Sequence, residues 1–202
     1  MKRFVVSLAC ALACLFSGSV ALAGNPSEVS FSFTQVVNAD IPDNDLSVYR
    51  IVMSPDIAEI TSIELDINGL FHADPEDLDI FLISPFGDDI NIMTDLGDGD
   101  PLLGVNLTFS DSASAPPPGD SQIFSGTYQP EGLTTGRDSG MSTFVGGTGG
   151  NPLPWYLVVI DDSAGGSGEF ESWTLRGTYI PEPVTLSLLA LGALTLLRRK
   201  RR

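Results

Sequence analysis

Apolar and polar residues alternate through the centre of this chain. Ile63, Leu65 and Ile67 alternate with Glu64, Asp66 and Asn68, the period-two pattern of a strand with one buried face. Leu78, Ile80 and Leu82 point one way, while Asp79, Phe81 and Ile83 point the other. Both sets are largely apolar, which predicts a strand covered on both sides. Further strands are predicted over 48–53, 90–94, 105–110, 156–161 and 173–179. Turn chemistry separates them, at Ser84-Pro85-Phe86-Gly87, Asp98-Gly99-Asp100, 115–119 and 146–150. No window reads as an amphipathic helix and no repeat of fixed period is present. Many short strands with Pro- and Gly-rich turns predict an all-β fold, a β-sandwich of the jelly-roll kind.

At the two ends the alternation gives way to unbroken apolar runs. Lys2 and Arg3 precede an apolar stretch over 4–16, and Ala21-Leu22-Ala23 places small residues before Gly24. This is the layout of a secretory signal peptide over 1–23, cleaved between Ala23 and Gly24. The stretch is too short for a transmembrane anchor, and Ala11 stands where a lipoprotein motif around Cys14 wants a larger aliphatic residue. Cys10 and Cys14 are the only cysteines and both fall in the removed segment. The mature protein then has no disulfide and no thiol nucleophile.

At the other end Pro181-Glu182-Pro183 is followed by an apolar run over 184–197 and a basic tail over 198–202. Fourteen helical residues rise about 21 Å, short of the roughly 30 Å hydrocarbon core, though snorkelling arginines extend the reach. The basic cluster resists translocation, so the tail stays cytoplasmic and everything before Pro181 faces outward. The prolines stop helix from running back into the domain. Motif, short transmembrane helix and basic tail, in that order over 181–202, closely resemble the PEP-CTERM sorting signal of Gram-negative bacteria. That resemblance implies an exosortase that recognises Pro181, Glu182 and Pro183 and processes the chain, with the inner membrane as a transient anchor. It also implies the cell surface or an extracellular, biofilm-type matrix with exopolysaccharide. The plainer alternative is a C-terminal membrane anchor that is never removed.

Charge narrows the partners. Residues 24–180 hold three arginines, Arg50, Arg137 and Arg176, against 25 acidic residues, a formal charge of −22. Such a field repels nucleic acid and anionic membranes and favours cations, with Ca2+ the candidate outside the cytoplasm. Asp74, Glu76, Asp77 and Asp79 crowd one strand start, Asp111 closes another strand, and Asp161 and Asp162 end a third. These are the candidate calcium ligands, since strand ends converge at the rim of a sandwich. The 95–100 segment does not keep EF-hand spacing. One histidine and no mature cysteine disfavour zinc.

The order of segments carries a second resemblance. The runs ADIPDNDLSVYRI, HADPEDLDIFLISPFG, LTFSD, FSGTYQP and WYLVVIDDSAGGSGEFESWTLRG resemble, in that order, the P domain (Homo B domain) of proprotein convertases. The likeness spans 33–179 behind a short lead over 24–32. It implies a jelly-roll, galactose-binding-like sandwich that, in the proteases, packs on a subtilisin-like catalytic domain. Only about ten residues separate Gly24 from its start, so the module is expected to travel alone.

No catalytic constellation is legible. His72, the only histidine, corresponds to one common in P domains and is expected to order the loop before the Leu78 strand. No Gly-x-Ser-x-Gly occurs, and with so many carboxylates any acid pair can be chosen. Trp155 and Trp173 are expected in the core. The expected function is therefore a non-catalytic, exported structural or adhesive surface or matrix protein that binds exopolysaccharide or other surface proteins. Two alternatives stay open. One is a carbohydrate-binding module, favoured if Tyr128, Phe144 or Tyr156 share a rim. The other is an accessory domain that docks on a secreted subtilisin-like protease, favoured by an exposed apolar patch on one face of the sandwich.

Overall fold

A computed structural model describes residues 27–53, 57–132, 140–147 and 154–181. These form β1 (Val29–Ile41), β2 (Leu46–Ile51), β3 (Ile57–His72), β4 (Leu78–Ile83), β5 (Asp89–Thr94), β6 (Leu102–Phe109), β7 (Gly126–Tyr128), β8 (Trp155–Asp161) and β9 (Gly168–Pro181). Helix among the described residues is limited to short pieces such as the 3-10 turns Pro75–Asp77 and Met141–Phe144. The strands form a five-stranded sheet, β1-β9-β3-β6-β7, and a four-stranded sheet, β2-β8-β4-β5. All pairings are antiparallel except β6 with β7.

Period two sets the core. Leu65, Ile67, Trp173 and Leu175 of the larger sheet and Leu78, Ile80, Leu82, Leu157 and Val159 of the smaller one are buried in a single cluster. Each such side chain contributes about 2 kcal/mol of transfer free energy. Trp155 and Trp173 are both core residues, as expected. Tyr49 of β2 meets Phe170 of β9 edge-on, centroids 4.8 Å apart, which stitches one sheet to the other. Gln35 of β1 does the same with hydrogen bonds: its Oε1 accepts from the Trp173 indole at 2.8 Å and from the Arg50 backbone at 3.0 Å.

Two expectations need correction. The first strand begins at Val29, inside the segment read as a lead, where Val29, Phe31 and Phe33 already alternate and pair with β9. β4 is buried on one side only: Phe81 and Ile83 point outward and are half-covered. The signal peptide with Ala23 and Gly24, and the tail with Glu182, Pro183 and the apolar run, lie outside the described residues. Pro181 is the last residue of β9. Among the described residues no helix is long and apolar enough to cross a membrane.

Candidate functional site

Most of the acidic candidates gather where β3 ends, β4 starts and β8 ends. His72 closes β3 and Asp161 closes β8, and both are fully buried. The imidazole donates from Nε2 to the Asp161 carboxylate at 3.1 Å, while Nδ1 sits 2.6 Å from the Asp74 carbonyl oxygen. The other Asp161 oxygen accepts from the Ser163 backbone at 3.4 Å. Neither ring nitrogen faces solvent. Gly168 makes this packing possible, because a Cβ there would strike the His72 ring and the Phe71 carbonyl oxygen. The neighbouring loops are tied in as well. Asp43 accepts from the Gly165 backbone at 2.9 Å, and the Asp162 backbone donates to the Asp77 carbonyl at 3.0 Å.

Beside this lock the carboxylates repel one another. Burial pushes the Asp77 carboxyl up, helped by Asp74, Asp161 and Asp162 and opposed by His72. The Asp79 carboxyl is pushed up to about 6, first by burial and then by Asp95, Asp162 and Glu131. Asp74 caps the Pro75–Asp77 turn by accepting from the Glu76 backbone at 3.3 Å, and Glu76 itself is exposed. Asp111 is committed elsewhere: its two oxygens accept from Met141 and Ser142 backbone N–H groups at 2.6 and 2.8 Å, capping the Met141–Phe144 turn. Among the described residues no three His, Cys, Asp or Glu side chains are arranged to hold a metal. Asp161 and Asp111 are occupied by hydrogen bonds, so the candidate carboxylates are not brought together as one set. Asp95 and Glu131 belong to the same charged neighbourhood and were not among the sequence candidates; Glu131 also accepts from the Thr94 backbone and hydroxyl.

Asp79 also stands at the edge of a second feature. The registers of β2, β8, β4 and β5 align three rows across the outer face of the smaller sheet. They read Leu46–Ile160–Asp79–Thr94, Val48–Val158–Phe81–Asn91 and Arg50–Tyr156–Ile83–Asp89. Seven of these twelve residues are apolar or aromatic, and Leu46 and Val48 are each 52% exposed. The larger sheet is different. Its outer rows are Ser32–Arg176–Glu64 and Thr34–Thr174–Asp66–Thr108, joined by a 2.8 Å hydroxyl pair between Thr34 and Thr174 and by Arg176 ion-paired with Asp66 and Glu64. The larger sheet also exposes apolar side chains, Val36, Phe71 and Leu103, outside those two rows.

No family model and no curated protein matches this chain. Solved structures are similar at low identity. A chain in the crystal structure of the Aeromonas sobria serine protease with its chaperone superposes with a TM-score of 0.44 and 19% identity, covering 77% of this chain and 27% of that one. The Aeromonas sobria serine protease gives a TM-score of 0.43 and 18% identity, covering 77% of this chain and 28% of that one. This chain therefore spans little more than a quarter of the solved chains it matches. At such similarity no activity or partner transfers.

The aromatic residues named as a possible glycan rim do not meet. Phe144 is buried edge-on against Trp155 at 4.9 Å. Tyr128, on the larger sheet, donates its hydroxyl to the Phe124 carbonyl. Tyr156 alone lies on the apolar outer face.

Proposed function

We propose that this chain is an exported, non-catalytic β-sandwich of jelly-roll plan that works by docking the outer face of its four-stranded sheet onto another protein. The observation that supports it is the apolar character of that face, seven residues in register on three neighbouring strands. Contiguous apolar surface of this kind on a soluble domain marks an interaction site. His72 supports the non-catalytic half of the proposal, since its ring nitrogens are turned to a buried carboxylate and to main chain. The accessory role implied by the P-domain resemblance fits this proposal better than a glycan platform does. Export through the signal over 1–23 and exosortase processing at Pro181, Glu182 and Pro183 belong to it as well, on the strength of the sequence.

The test is co-recovery from the envelope and medium of a producing cell. A single protein should accompany the wild-type chain in fixed ratio and be lost with Val48→Asp, while that variant melts within a few degrees of wild type. A variant that keeps its companion, or a wild-type chain that has none, would sink the docking proposal. Intact-mass analysis of the same material reads the processing directly. Mature protein should lack both the leader and the basic tail.

A further inference from the structure

The docking face is not uniform: carboxylates stand on its β4 and β5 strands and a guanidinium on β2. In the row through Leu46 and Ile160, Asp79 stands on β4 before Thr94, and Asp95, Asp162 and Glu131 lie close enough to act on its carboxylate. The opposite row runs from Arg50 on β2, the only cation among the twelve positions, to the exposed Asp89 on β5. Between them lie Val48, Val158 and Phe81. We infer that the occupant is a protein surface that is itself apolar and brings a lysine or arginine to Asp79. This inference rests on the docking proposal above and adds the chemistry of the partner.

The charge argument chooses among occupants. An apolar strip alone would suit a lipid surface, but a module of charge −22 is repelled by anionic lipid headgroups. A second copy of the chain brings the same net charge, and its one cation on this face, Arg50, comes with Asp79 and Asp89. A basic side chain from a different protein removes repulsion that already exists. Asp79 is held among other carboxylates with no hydrogen bond among the causes acting on it, so it is poorly satisfied before docking. Arg50 on β2 and the carboxylates of Asp79 and Asp89 on β4 and β5 also fix one orientation of the partner, because reversing it sets like charges together.

The experiment uses the full chain in its native host, with the photoreactive residue p-benzoylphenylalanine in place of Tyr156 and, as a control, in place of Ser32 on the hydroxyl-rich face. Adducts formed on irradiation are digested and sequenced by mass spectrometry. The expected result is adducts to one other protein, at a peptide where Lys or Arg lies among apolar residues, absent from the Ser32 control. Asp79→Asn should lower adduct yield about fivefold, and Asp79→Lys with Asp162→Lys more than about tenfold, since like charges facing each other are strongly disfavoured. Raising salt should lower the yield for the wild type and have less effect on Asp79→Asn. If adducts survive both charge variants, or map to a peptide without basic residues, the cationic partner is overturned while docking stands. If adducts form only with lipid or with another copy of this chain, or match the control level, both inferences fall.

Discussion

His72 and Asp79 are both near strand ends in the same corner, yet their side chains do opposite things. His72 is consumed by structure. Removing its imidazole leaves Asp161 buried without its main partner, and losing one member of a buried pair is costly. His72→Ala should therefore lower unfolding stability by about 3 kcal/mol in urea titration, whereas a solvent-facing catalytic histidine would cost far less. Asp79 is instead a source of strain. Its carboxyl titrates near 6 in the fold, above the ordinary value of 3.8, so the folded state binds a proton more readily than the unfolded chain. Stability must then fall as pH rises from about 4 to 6 and stay lower above that. Asp79→Asn should stabilise the protein at pH 7 by about 1 kcal/mol, allowing for solvent screening, with the gain vanishing by pH 4. Paired thermal melts at the two pH values decide it. A gain of equal size at both would assign the effect to something other than charge.

β4 shows how one element serves two surfaces. Ile80 is fully buried between the sheets, and its neighbour Phe81 faces outward. Ile80→Ala should cost about 3 kcal/mol in chemical unfolding, while Phe81→Ala costs less than about 1 kcal/mol and instead abolishes docking. If both cost the same, Phe81 is already covered and the docking face does not exist. β4 was also the most legible strand, because an apolar run interrupted only by Asp79 lies between Asp77 and the Ser84 turn, which fix its ends. β1 was harder: the alternation of Val29, Phe31 and Phe33 was present, but a register shift between Val36 and Ala39, with Asn38 at φ 42°, blurs the period in the middle. β7 has three residues and pairs in parallel with β6, so nothing local announces it. The site divides in the same way. Crowded carboxylates around Asp77 were visible as letters, but that Asp111 caps a turn 30 residues away, and that Glu131 joins Asp79, are facts of tertiary closure. The three-row face is a fact of register, which alternation alone cannot supply.

At the scale of the whole molecule, 25 acids against three arginines over 24–180 make self-repulsion a general cost of folding. The melting temperature should rise by several degrees between low ionic strength and about 0.15 M salt, where the Debye length falls to roughly 8 Å. Most of that gain should appear with any monovalent salt. A rise confined to calcium would point instead to a specific bound ion and away from general screening. The position of β9 has a mechanical meaning. It is the final described strand, yet it lies inside the larger sheet, bonded to β1 on one side and to β3 on the other, from Gly168 to Pro181. Any pull transmitted through residues after Pro181 runs along this strand and must shear both ladders at once, so a module tethered at that end and gripped through its other sheet resists tension along its strongest axis. The same layout means the larger sheet cannot close until residues 168–181 are free to pair, so its folding waits on the last strand of the domain.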